Sequence, residues 1–81
     1  MHELSIAVSI VDVAEEELAR HGGERVRAVY ISLGPLAGVA KEALSFSFGL
    51  ACEGTAVDGA RLIIEDAEGR DLAVIRMEIE P

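Results

Sequence analysis

Apolar side chains recur at helical spacing through residues 4–20. Leu4, Ala7, Val8, Val11, Ala14 and Leu18 form one stripe, and Asp12, Glu15, Glu16 and Arg20 fall on the polar side. The pattern predicts an amphipathic helix stopped by Gly22-Gly23. The period then changes. In residues 25–33, Val29, Ile31 and Leu33 alternate with Ala28, Tyr30 and Ser32, which predicts a strand ended by Gly34-Pro35. Leu36-Ala37-Gly38-Val39 reads as a loop into a second helix near residues 40–53. There Leu44, Phe48 and Cys52 lie four apart with Ala51 beside them.

Gly54 and Val57-Asp58-Gly59 close that helix, and residues 60–66 and 71–80 read as two further strands. Between them, Asp66-Ala67-Glu68-Gly69 has the composition of a tight turn, which predicts a hairpin pairing Leu62–Asp66 antiparallel with Asp71–Ile75. The order helix, strand, helix, strand, strand implies the α+β class: a small two-layer sandwich, a three-stranded sheet with two helices on one face. The expected core is Leu4, Val11 and Leu18 on the first helix, Leu44 and Phe48 on the second, and Val29, Ile31, Leu62, Ile64 and Val74 on the strands.

Composition narrows the classes of function. Eighty-one residues make one domain, and 51% hydrophobic content is too high for a disordered chain. Aromatics are only 4%, so the core is aliphatic. A formal net charge of −8 argues against nucleic acid and against an anionic membrane surface, both of which require clustered bases. It suits a protein that handles cations or meets basic partners. The single cysteine, Cys52, excludes an internal disulfide and a cysteine-rich zinc cluster, and it reads as a small buried apolar residue. No apolar run is long enough to span a membrane, and no secretory signal pattern is present, so the expected location is cytoplasmic.

The usual catalytic constellations are missing. There is no nucleophile elbow, P-loop or dinucleotide fingerprint. His2 and His21 have no Ser or Cys partner in sequence, and His21 reads as a solvated residue in the last turn of the first helix. Glu15-Glu16 lies on a solvated helix face. A binding or carrier module is therefore expected, not an enzyme.

The chemistry that stands out is at the start, Met1-His2-Glu3. The Met1 amine, the His2 amide and the His2 ring can reach one ion through small fused chelate rings, and an amine and an imidazole both shed protons near neutral pH. Nitrogen donors in a plane suit Ni(II) or Cu(II). A histidine at position 2 standing alone would be an ordinary exposed side chain; the rest of the chain gives this one its weight.

Met1-His2-Glu3-Leu4-Ser5-Ile6-Ala7 resembles the opening of the HypA/HybF nickel metallochaperones, which help insert nickel into [NiFe] hydrogenases. The resemblance continues through Val29-Tyr30-Ile31-Ser32-Leu33-Gly34-Pro35-Leu36-Ala37-Gly38-Val39 and Glu42-Ala43-Leu44-Ser45-Phe46-Ser47-Phe48. It extends to Glu53-Gly54-Thr55, Gly59-Ala60, Gly69-Arg70-Asp71-Leu72 and Glu78-Ile79-Glu80. It implies a single nickel-binding domain over residues 1–81, with His2 as the central Ni(II) ligand and Met1 and Glu3 supplying terminal or backbone donors. It also implies delivery with a HypB-type GTPase to a hydrogenase large subunit.

The chain departs from the family's pattern twice. The family's zinc module, with its two Cys-x-x-Cys pairs, is absent between Glu65 and Gly69, so no zinc is expected. Ala40 stands where several relatives carry an acid that approaches the nickel. The competing expectation is a metal-free interaction or dimerisation module that keeps the fold, since exposed strand edges can pair two copies as a homodimer.

Overall fold

A computed structural model describes residues 2–81. Its elements, in chain order, are α1 (Glu3–His21), β1 (Arg25–Leu33), α2 (Lys41–Cys52), β2 (Arg61–Asp66) and β3 (Leu72–Glu80). This is the order and class expected, a mixed three-stranded sheet with two helices packed on one face.

The strand order is β2-β1-β3, with β1 parallel to β2 and antiparallel to β3. The expected hairpin is therefore wrong: Leu62–Asp66 does not pair with Asp71–Ile75, because both strands pair with β1 instead. Leu33 lies between Asp66 on one side and Leu72 on the other. The reason lies in burial. Strand β1 carries Val26, Val29, Ile31 and Leu33, all buried, and so takes the centre, where both neighbours and both helices cover it. Helix α2 supplies the crossover that parallel strands require.

The segment 67–71 thus crosses over the end of β1. Two strand spacings amount to roughly 10 Å, and five residues reach about 17 Å, so the crossing closes without strain. Backbone bonds hold it down: Ala67 N–H donates to Leu33 O (3.0 Å), Gly34 N–H to Asp71 O (2.8 Å) and Leu36 N–H to Gly69 O (2.8 Å). Gly34 lies directly beneath. A Cβ there would sit 2.3 Å from Gly69 O, so only glycine fits.

The core joins Ala7, Ile10, Val11, Ala14 and Leu18 of α1 to Leu44, Phe48 and Cys52 of α2 over Val26, Val29 and Ile31. Leu4, expected inside, is 55% exposed. It lies at the margin of the α1 stripe, in the first turn, where no element covers it. Leu62, Ile64 and Val74 pack against the core but are only partly buried, because they belong to edge strands.

Two bulges break the β1–β3 ladder. Between Val26 and Ala28 the extra residue is Arg27, and opposite the Tyr30–Ile31 step it is Ile75. The second bulge restores alternation: Ile31 pairs with Val74, Val29 with Met77 and Val26 with Ile79, so all three β3 residues face the helices.

Candidate metal-binding site at the start of helix α1

Helix α1 begins immediately after His2, so His2 precedes the helix and Glu3 opens its first turn. The His2 carbonyl accepts the first helical bond, from Ile6 N–H at 3.0 Å. His2 itself is exposed and adopts a left-handed backbone, φ 63° and ψ 15°, the one non-glycine residue of positive φ among those described. Its side chain does not cap the helix. The amides of the first turn lack intrahelical partners and give this end a positive partial charge. A cation held there needs negative compensation, and a carboxylate next to His2 supplies it.

Glu3 is that carboxylate, and it is half-buried. Its Oε2 accepts the Ala40 N–H at 3.2 Å, across 37 positions of sequence. Its carboxyl is held down at about 2, first by the terminal ammonium group as donor and then by the Ala40 amide. Glu3 therefore acts as a tie between α1 and the loop before α2. Met1, the third expected ligand, lies outside the described residues.

Position 40 is thereby brought to the site, but it presents only a methyl group and a backbone amide. No three His, Cys, Asp or Glu side chains come together in a metal-holding group among the described residues. His21 takes no part. It stands at the far end of a 19-residue helix, roughly 27 Å away at the α-helical rise. There its Nδ1 is 2.9 Å from Glu17 O and 3.7 Å from Glu17 Oε1.

One link at this end was invisible in sequence. Lys41 Nζ, in the first turn of α2, lies 2.6 Å from Asp66 Oδ1 at the end of β2. The Lys41 hydrogen bond and charge hold the Asp66 carboxyl below its ordinary range. Glu3, residues 40–41 and Asp66 thus connect the start of α1 to the segment crossing over β1. Parallel pairing of β1 with β2 creates that proximity, and a hairpin reading hides it.

The sequence pattern described as hydrogenase/urease nickel incorporation, metallochaperone, hypA matches residues 1–72. The chain belongs to the HypA family. Hydrogenase maturation factor HypA of Chloroflexus aurantiacus is 53% identical over 66 residues, which is 82% of this chain and 58% of that protein. The HypA factor of a Roseiflexus species is also 53% identical over 66 residues, covering 54% of its own length. The chain thus spans little more than half the length of these curated relatives. Among solved structures, a solution structure of HypA protein superposes with a TM-score of 0.82 at 17% identity, covering 98% of this chain and 96% of that one. A solution structure of the Ni metallochaperone HypA from Helicobacter pylori gives 0.76 at 17% identity, covering 99% and 97%. At that identity these two likenesses establish the HypA fold and nothing finer.

Proposed function

We propose that this chain is a nickel-carrying domain of the HypA type, which binds Ni(II) at the start of α1. The His2 ring and amide are the central donors, Met1 contributes the terminal amine, and Glu3 contributes its backbone while its carboxylate anchors the turn. Delivery proceeds with a HypB-type GTPase to the large subunit of a [NiFe] hydrogenase in the cytoplasm, and the domain acts as carrier, not as enzyme. The observation that carries this reading is the exposed His2 just before α1, next to Glu3, whose carboxylate bonds the Ala40 amide, in a chain that belongs to the HypA family.

The chemistry follows from the donors. Amine, amide and imidazole must all surrender protons to bind, so binding releases protons and weakens as pH falls through the range where imidazoles titrate. Calorimetric titration of Ni(II) at two pH values, with His2→Ala beside the parent, tests this. Proton release and loss of binding in the variant are expected, as is the yellow d–d band of square-planar nickel. Equal binding by variant and parent would sink the proposal.

A further inference from the structure

The uncovered face of the sheet carries a charge pattern opposite to the rest of the molecule. Register places Arg61, Ala28 and Glu78 in one row of that face, Ile63, Tyr30 and Arg76 in the next, and pairs Arg25 with Glu80. Arg27, the extra residue of its bulge, reaches Glu80 Oε2 at 3.4 Å. Four of the seven bases therefore lie here with three of the fifteen acids, Glu65, Glu78 and Glu80. Three bases and twelve acids remain for everything else, so a chain of net charge −8 presents one face that is slightly positive.

The arginines on this face are unequally engaged. Arg76 is committed: it stacks 4.1 Å over the Tyr30 ring and pairs with Glu65 Oε2 at 2.8 Å. The Tyr30 hydroxyl donates to Glu78 Oε2 at 2.9 Å. Arg25 and Arg27 share the single carboxylate of Glu80, at 3.8 and 3.4 Å. The Arg61 side chain makes no hydrogen bond or ion pair among the described residues. Arg25, Arg27 and Arg61 line one shallow cavity of about 250 Å³ with Gly59 and Glu78. Three guanidinium groups converge there with less carboxylate than they can bind.

We propose that this face is a docking surface for an acidic protein segment, a short run bearing Asp or Glu whose carboxylates take up the free donors of Arg61, Arg25 and Arg27. Guanidinium forks match carboxylates two bonds at a time. Long polyanions are disfavoured, because the net charge of −8 repels them beyond this patch and Glu78 and Glu80 interrupt it. A short segment meets only the local field, since screening confines charge effects to about 10 Å at ordinary salt.

The test uses a fluorescein-labelled peptide of alternating glutamate and serine. Anisotropy at low salt measures affinity, and amide NMR shifts on the labelled protein locate the site. Shifts are expected at residues 25–30, 59–63 and 76–80. Arg61→Gln should weaken binding about two- to fivefold, the range of exposed ion pairs. The triple change Arg25→Gln, Arg27→Gln and Arg61→Gln should remove it while the circular dichroism spectrum and the melt stay unchanged. Shifts on the helices, no shifts at all, or undiminished binding by a folded triple variant would overturn the proposal. So would tighter binding of inorganic phosphate or of a thymidine oligonucleotide at the same salt.

Discussion

Helix α1 has a histidine at each end, both exposed, and their surroundings differ. His21 sits at the C-terminal end, its Nδ1 2.9 Å from the Glu17 carbonyl and 3.7 Å from the Glu17 carboxylate. His2 sits at the N-terminal end beside the chain's amine, on a left-handed residue, next to a carboxylate bonded to another segment. The surroundings differ in the same way. Near His21 the chain turns through a local cap, Gly22 N–H to Leu18 O. Near His2, three segments distant in sequence are cross-tied, by Glu3 to Ala40 and by Lys41 to Asp66. A histidine becomes a candidate ligand through the backbone donors around it and the rigidity of what holds them.

The sharpest way to break this contrast is to delete each ring in turn. His2→Ala should abolish calorimetric Ni(II) binding and His21→Ala should leave it unchanged; comparable losses from both would end the distinction between the two ends. Next in size is the glycine at each end. Gly34→Ala drives a methyl into the Gly69 carbonyl and should cost about 1–3 kcal/mol by overpacking. Gly22 has open space but φ 70°, so Gly22→Ala should cost only about 1 kcal/mol, through conformational strain. Urea denaturation of both variants ranks them.

A smaller, pH-dependent effect belongs to Lys41–Asp66. Because Lys41 depresses the folded-state pKa of Asp66, the pair stabilises the protein above the unfolded carboxyl pKa, about 3.9. That contribution is lost as pH falls through the lower folded value. Lys41→Met should therefore melt below the parent at neutral pH, and the difference should vanish in strong acid. Cys52 has the opposite sign. Burial first, then Asp58 and Glu15, push its thiol up to about 11. The neutral thiol stabilises the fold fully below the ordinary thiol pKa, and that contribution fades as pH rises through 11. Reaction with a thiol reagent at pH 8 should be slow until denaturant is added. The smallest effect expected is from zinc: melts in chelator and in added zinc should coincide, because the buried core lies in α1, α2, β1 and Val57, all outside the crossing, and the crossing is held by backbone bonds.

Much of this was legible in the sequence because it is local. Helical spacing marks α1 and α2 to within a residue of their observed ends, and alternation marks three strands. His2 and Glu3 are readable as candidate donors because chelate-ring size depends only on covalent connectivity. Leu4 misled because periodicity reports a stripe, not where neighbouring elements cease to cover it. Glu3's bond to the Ala40 amide and the Lys41–Asp66 pair join positions 37 and 25 residues apart, with no composition signal to announce them.

Sequence by itself determined the elements, their order, the aliphatic core and the chemical character of the chain's start, all consequences of periodicity and residue type over a few positions. Only the tertiary structure decided which strand sits in the middle. Asp66-Ala67-Glu68-Gly69 has the residues of a hairpin turn, and Gly69 does adopt the left-handed conformation, φ 69°. Yet β1, whose Val26, Val29, Ile31 and Leu33 are all buried, takes the centre and inserts between the two strands that the turn connects. Burial of a whole strand outweighs the local preference of four turn residues, and the segment that would have made a hairpin becomes the strap over Gly34.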